Sequence, residues 1–235
     1  MNMSSFAMPL AYSDPTVYGG DDMWNRLVFN LGHIFANQKM MALFSMLFGA
    51  SVMLITQNME KKGKSPFRYH YVRNIWLLAF GFLHSTFLWM GDVLMIYAGC
   101  AFILYWFRKM APKWQFGLGL AIFLLPALSN AFVGNTIQSL PPADRQHLQS
   151  NMATSEADVA DELEYFRGPY APQLAYRLGI YAEDDYSYEA SYSEPSSEAY
   201  TDMQALLEVD AVIDYSGRAF GMMLMGMAFF SWGIL

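Results

Sequence analysis

The chain has 235 residues, of which 54% are hydrophobic and 15% are charged, and its formal net charge is -7 at pH 7. An ordinary soluble domain carries about 25% charged residues, so this composition indicates a membrane protein rather than a soluble one. The basic residues form no stripe with interleaved aromatic side chains, which argues against nucleic acid as a partner.

The first predicted element covers residues 24–38 and is an amphipathic helix. Its apolar residues fall at helical spacing, and they are Trp24, Leu27, Val28, Leu31, Ile34 and Phe35. A helix with one apolar face and one polar face lies in the membrane surface, so we predict an interfacial helix here. Residues 40–57 follow without a charge and predict the first span, in which Ser45 and Gly49 form a small-residue pair that lets another helix approach.

Two short basic segments then fix the predicted topology. Residues 58–73 and 107–114 hold eight of the fourteen Lys and Arg residues, and short basic loops stay in the cytoplasm. The residues between them would form a helix of about 51 Å and end on the wrong side. We therefore predict two spans, 74–89 and 93–107, which turn near Gly91 and Asp92.

The second half of the chain is predicted to cross twice more, with a long loop between. Residues 114–135 form a span that Pro126 is expected to kink, and the acidic residues 136–215 form an extracytoplasmic loop with a helix near 143–166. The final span is 217–235. The fold prediction is thus an all-α integral membrane protein of the inner membrane: a single membrane domain over 1–235, built as a multi-pass bundle of about five spans.

The residues most suited to chemistry lie in the two central spans. His84 shares a helix face with Gly81, Ser85 and Leu88, and ionisable residues within a membrane are functional candidates. We expect Asp92, at the outer turn, to lie near His84 and the pair to be catalytic. Two structural alternatives stay open: Asp92 caps the helix that begins at Val93, and His84 makes an interhelical hydrogen bond, with Tyr97 or a residue of another span as its partner.

Four stretches resemble successive motifs of one bacterial membrane family. They are "KMMALFSMLFGAS", "YVRNIWLLAFGFLHSTFLWMGDVLMIYA", "ELEYFRGPYAPQLAYRLG" and "RAFGMMLMGMAFFSWGIL". The chain is similar in these motifs to the YeiB-like family, also described as domain of unknown function four-one-eight. The motif positions are occupied by Lys39, Arg73, His84, Trp89, Gly91, Asp92, Tyr97, Arg177 and Gly226.

The resemblance implies a function as well as a fold. Family members resemble, by fold, the transmembrane acyltransferases that modify sugars, and members have also been labelled as transport proteins. By that resemblance His84 and Asp92 are the catalytic candidates, while Arg73, Trp89, Tyr97 and Arg177 are candidates for binding substrate. The implied partners, besides the lipid bilayer, are an acyl donor and a sugar or lipid acceptor; the alternatives are a transport component and a non-catalytic scaffold.

Simpler roles exist for three of these residues, and the chain departs from the family pattern in places. Arg73 also fits a positive-inside anchor, Tyr97 a packing residue and Arg177 a solvated ion pair. Gln38 stands where the family has glycine, and the acidic Tyr- and Ser-rich stretch after Tyr181 resembles an insertion. The family's opening Leu-Asp-x-Leu-Arg-Gly helix and later spans are absent, so we expect a fragment of a longer protein. The four histidines and one cysteine show no metal-ligand spacing, and we predict no metal; the sequence points to no particular cofactor.

Overall fold

The computed structural model describes residues 10–14, 16–35, 39–89, 92–152, 154–178 and 198–235. Within these ranges the regular structure is helical and no strand forms, in agreement with the all-α prediction. The chain divides into two compact units: the first comprises residues 1–37, 85–91 and 136–205, and the second comprises 38–84, 92–135 and 206–235.

The helices follow one another closely along the chain. In order they are α1 (Leu10–Ser13), α2 (Met23–Phe35), α3 (Lys39–Lys61), α4 (Pro66–Phe87), α5 (Leu94–Leu104), α6 (Pro112–Ser139), α7 (Pro142–Met152), α8 (Glu156–Arg167), α9 (Tyr170–Arg177) and α10 (Glu198–Ser231). A 3-10 turn, Tyr105–Lys109, directly follows α5. Helix α2 matches the predicted interfacial helix up to Phe35, and residues 36–38 lie outside the described ranges.

Helix α3 packs tightly against α10 through small residues in the second unit. A Cβ atom built on Gly49 would collide with the carbonyl of Met223, and one on Gly226 would collide with the carbonyl of Met46. Only glycine allows backbones to approach this closely, which is the role predicted for the Ser45 and Gly49 pair. The apolar core of the unit surrounds this contact and includes Val52, Leu104, Ala219 and Leu224.

Helix α4 begins eight residues before the span predicted to start at Asn74, so part of the basic segment 58–73 is helical. The cause is local: Ser65 Oγ accepts a hydrogen bond from the Arg68 N–H at 3.4 Å. Pro66 takes the first helical position, where its missing N–H costs nothing. A serine followed by proline is a common start of a helix, and this signal is present in the sequence.

Helices α4 and α5 form an antiparallel pair. At one end, the ring Nε2 of His70 lies 2.9 Å from the carbonyl oxygen of Ala101. The neighbouring Tyr71 hydroxyl donates to the carbonyl oxygen of Phe102 at 3.0 Å. Both carbonyls belong to the last turn of α5, where intrahelical donors run out, so side chains of α4 satisfy the end of α5. The two predicted spans 74–89 and 93–107 thus fall on two separate helices.

Helix α6 runs through Pro126 without interruption for 28 residues, and the predicted kink stays a prediction. The acidic segment 136–215 contains more helix than predicted. Helices α7 and α8 are separated before Ser155, which forms a capping box with Asp158 at the start of α8. Helix α10 starts at Glu198, so the last part of this segment is helical, while residues 179–197 lie outside the described ranges.

In the first unit, a buried carboxylate holds the segment that contains α1. Both oxygens of Glu162 on α8 accept the Leu10 N–H, at 3.1 and 3.2 Å. The hydroxyl of Tyr18 donates to Glu162 Oε2 at 2.6 Å. Burial raises the pKa of Tyr18, and the hydrogen bond to Glu162 raises it further.

Two stretches of the described chain are long and apolar enough to cross a membrane, namely Met23–Lys61, which runs across residues 36–38, and Pro112–Ser139. Only 17% of the most apolar part of the second stretch is buried, whereas the core helix of a soluble protein is mostly buried. Both stretches are consistent with a membrane protein, and the predicted total of five spans stays a prediction.

Candidate functional site

His84 and Asp92 come together at the end of the α4 and α5 pair where the chain passes from one helix to the other. His84 lies in the last turn of α4, and Asp92 lies two residues before α5 begins. The distance between His84 Nδ1 and Asp92 Oδ1 is 3.2 Å. The two side chains therefore lie as close together as predicted for the two limbs of one hairpin, and the catalytic role stays a prediction.

The two side chains differ sharply in burial. The Asp92 side chain is 2% exposed and that of His84 is 38% exposed. His84 Nδ1 itself is buried, so the exposed fraction belongs to other atoms of the side chain. The contact is within ion-pair distance but its alignment falls outside hydrogen-bond geometry, a looseness that is common in catalytic pairs without substrate.

Gly81 makes this arrangement possible. A Cβ atom at Gly81 would lie 2.8 Å from Met95 N, 3.0 Å from Leu94 Cβ and 3.1 Å from Asp92 Oδ2. Any side chain there would push the start of α5 and the Asp92 carboxylate away from α4. Because Gly81, three residues before His84, has no side chain, it leaves the space that the Asp92 carboxylate occupies.

Asp92 does not cap α5 in the structure. The N-cap residue of α5 is Val93, and no side chain makes a hydrogen bond to the first turn. Asp92 Oδ2 is buried and accepts no hydrogen bond. The alternative in which Asp92 caps the second helix is therefore wrong, because the helix starts one residue later than that role requires.

Tyr97 belongs to a different contact. Its hydroxyl donates to the carbonyl oxygen of Met41 at 3.0 Å and accepts from Ser45 Oγ at 2.9 Å. These bonds join α5 to α3, and Tyr97 is buried in the core. Tyr97 is therefore not the partner of His84, and its observed contacts are those of a packing residue.

Arg73 lies about three turns before His84 on α4, roughly 16 Å away along the helix axis. Its guanidinium stacks over the Phe48 ring at 5.2 Å, and Phe48 also contacts Tyr97, with ring centroids 5.7 Å apart. Arg73 Nη2 is buried and makes no hydrogen bond. The distance along α4 separates this guanidinium from the His84 and Asp92 pair.

The remaining predicted site residues belong to the first unit. Trp89 follows α4 and is half-buried, and Arg177 is the last residue of α9. The Arg177 side chain and Gly91 lie outside what the structure describes. The substrate-binding roles predicted for Trp89 and Arg177 stay predictions.

Two buried polar residues of α4 are not among the site residues predicted from the sequence. His70 and Asn74 are fully buried on α4, with Asn74 Nδ2 2.7 Å from His70 Nε2. They continue the face of Gly81 and His84 toward the start of the helix, at steps of three or four residues. That spacing is present in the sequence, so the helix face of Gly81 and His84, extended toward the start of α4, includes His70 and Asn74. Among the described residues, no group of three or more His, Cys, Asp or Glu side chains is placed to hold a metal ion.

Two curated proteins resemble the chain. It is 30% identical over 177 residues to the uncharacterised protein YxaH of Bacillus subtilis (strain 168), across 69% of the chain and 43% of YxaH. It is 29% identical over 131 residues to the uncharacterised protein YeiB of Escherichia coli (strain K12), across 53% of the chain and 31% of YeiB. These similarities support the resemblance to YeiB-like proteins.

The similarity covers only part of each relative. The chain matches less than half of the length of each of these two relatives. No protein-family model matches the chain. No solved structure matches it either.

Proposed function

We propose that the chain is part of a multi-pass inner-membrane protein with about five spans. Basic segments 58–73 and 107–114 lie in the cytoplasm, and the acidic segment, predicted as 136–215, lies outside up to the part of α10 that enters the bilayer before Asp214. The support is the charge asymmetry together with large apolar side chains that stay exposed along the helices. Trp76 and Phe80 are exposed on α4, and Leu128 and Phe132 are exposed on α6. In water such continuous apolar surface would drive aggregation, whereas lipid solvates it.

Within that membrane protein, the function that the site supports best is acyl transfer to a hydroxyl group of a sugar or lipid. The observation that carries this proposal is the geometry of His84 and Asp92. The buried carboxylate faces the buried Nδ1, while 38% of the His84 side chain is exposed. This is the arrangement in which a carboxylate fixes the tautomer of a histidine and leaves Nε2 free to act as a base.

The chemistry follows from that arrangement. In the proposed reaction the His84 ring turns into alignment with Asp92, 3.2 Å away, so that Asp92 accepts the Nδ1–H and the lone pair of Nε2 is left for the substrate. Nε2 takes the proton of the acceptor hydroxyl while the hydroxyl oxygen attacks the carbonyl carbon of the acyl donor. The Asp92 charge stabilises the imidazolium that forms. When the bond from the carbonyl carbon to the leaving group breaks, Nε2–H returns the proton to the leaving group.

A second candidate function is transport of a proton or substrate. The observation that favours it is Asp92 Oδ2, which is buried and accepts no hydrogen bond. A carboxylate oxygen in that state has lone pairs available to a donor group of a transported molecule. In this reading His84 and Asp92 carry the proton and no covalent product forms. A scaffold would need neither residue for activity.

Mass spectrometry of lipids and glycans tests these functions in cells that express the full-length gene, with His84→Ala and Asp92→Asn as variants. Loss of a general base typically costs about 10² to 10⁴ in rate, so an acylated product should disappear in His84→Ala. Leu83→Ala is the matched control, because Leu83 adjoins His84 in the sequence and its side chain is exposed. An acylated product that forms normally in His84→Ala would contradict the enzyme, and loss of proton-coupled uptake without any acylated product would favour transport.

A further inference from the structure

A second charged group lies on α10, away from the His84 and Asp92 pair. Asp214 and Arg218 form an ion pair one helical turn apart. The amide of Asn130 on α6 donates to the Pro126 carbonyl at 2.8 Å and reaches Asp214 Oδ1 at 3.5 Å. The two helices therefore share a polar cluster of opposite charges and an amide.

The packing of Gly217 shows how deep this cluster lies. A Cβ atom on Gly217 would stand 3.6 Å from Cγ of Pro126, so the two residues are in contact. Helix α6 is about 42 Å long, and Pro126 is about 21 Å from its start. Arg218, which directly follows Gly217, is therefore near half height of a helix that is long and apolar enough to cross a membrane.

The cluster is accessible as well as deep. The Arg218 side chain is 32% exposed and that of Asp214 is 21% exposed. From Ala219 onward the inner face of α10 is closed, with Met223 and Leu224 fully buried. Hydrocarbon cannot solvate an exposed guanidinium, and charged residues at this depth face a water-filled cavity or a polar partner.

We propose that Asp214, Arg218 and Asn130 line a water-accessible pocket within the bilayer that binds the phosphate or carboxylate head group of an otherwise apolar molecule. Arg218 binds the anion, because its planar guanidinium matches two oxygens of such a group. Asp214 holds the guanidinium in place and balances its charge when the pocket is empty. The proposal rests on the membrane placement of α6 and α10 in the proposed function.

Thiol labelling of the full-length protein in intact cells tests the pocket. Asn130→Cys and Leu128→Cys are made in a Cys100→Ser background, since both positions lie at similar height on α6 and both are exposed. The probes are two membrane-impermeant methanethiosulfonates, one with a sulfonate group and one with a trimethylammonium group. Each rate is divided by the rate of the same reagent with a small free thiol.

We expect labelling of Asn130→Cys but not of Leu128→Cys, with a normalised preference of about tenfold for the sulfonate because the site attracts anions. Adding Arg218→Gln should remove the preference while labelling continues, and Arg218→Lys should keep it. Absence of labelling at Asn130→Cys would overturn the pocket, and equal or reversed normalised rates would overturn the anion site. Labelling of Leu128→Cys as fast as Asn130→Cys would instead contradict the membrane placement itself.

Discussion

Gly81 lies directly against the carboxylate of Asp92. A methyl group on Gly81 would stand 3.1 Å from Asp92 Oδ2 and 2.8 Å from the backbone nitrogen of Met95. The same turn of α4 carries His84, whose Nδ1 is 3.2 Å from Asp92 Oδ1. One helical turn therefore provides both the space for the carboxylate and the imidazole that it faces.

Gly81→Ala should displace Asp92 and weaken the acylation proposed for the full-length protein. The added methyl group collides with backbone, which cannot move aside as a flexible side chain can, and overpacking of this kind costs about 1 to 3 kcal/mol. The measurement is the melting temperature in detergent together with the level of acylated product. Both should fall.

Gly99→Ala provides the matched control for that experiment. Gly99 lies on α5, and a Cβ atom there meets nothing within 4 Å. The added methyl should leave activity unchanged and stability equal or slightly higher, since alanine is favoured over glycine in a helix by about 0.5 to 1 kcal/mol. Equal effects of the two substitutions would show that the Gly81 contact is not what holds Asp92.

Tyr97→Phe separates packing from substrate binding. The Tyr97 hydroxyl contacts Ser45 and the Met41 carbonyl, so its loss should cost only the about 0.6 kcal/mol typical of an interhelical hydrogen bond in a membrane. Ser45→Ala should cost a similar amount. The double variant should add little, because Ser45 Oγ also lies 2.8 Å from the Met41 carbonyl oxygen and so shares this acceptor with the Tyr97 hydroxyl. Thermal unfolding in detergent measures this. A severe loss of activity in Tyr97→Phe at normal stability would support the predicted role of Tyr97 in binding substrate.

The proposed topology predicts which exposed positions react from outside the cell. Lys62→Cys lies in a basic segment and Ala160→Cys lies on α8 in the acidic segment, and both positions are exposed. In a Cys100→Ser background, a membrane-impermeant maleimide should label Ala160→Cys on intact cells and Lys62→Cys only after permeabilisation. Labelling of Lys62→Cys on intact cells would reverse the orientation.

The contact between Tyr18 and Glu162 should make stability depend on alkaline pH. Burial and the hydrogen bond to Glu162 raise the pKa of Tyr18 in the folded protein above its ordinary value. Its contribution is therefore fully present below about pH 10, and it is lost as the pH rises from there through the raised pKa. The difference in melting temperature between the wild type and Tyr18→Phe should stay constant below about pH 10 and shrink above it. A difference that stays constant at higher pH would contradict this linkage.

The sequence by itself determined the all-helical fold and the closeness of His84 and Asp92. Low charge, long apolar runs and two basic clusters indicate helices in a membrane, because these signals depend only on the neighbours of each residue along the chain. The same signals predicted that the chain turns between His84 and Asp92, and a turn necessarily brings the residues on its two sides together. The start of α4 at Ser65 and Pro66 is also set by a local signal.

Only the tertiary structure decided what these residues touch. It shows that Gly81 makes room for the Asp92 carboxylate, that Asp92 caps nothing, and that Tyr97 belongs to Ser45 and Met41. The sequence placed Arg218 at the edge of a predicted span. The contact of Gly217 with Pro126 instead places Arg218 beside the middle of α6. These facts depend on how separate helices pack, and close packing is set by the shapes of residues far apart in the chain, which no periodicity along the sequence encodes.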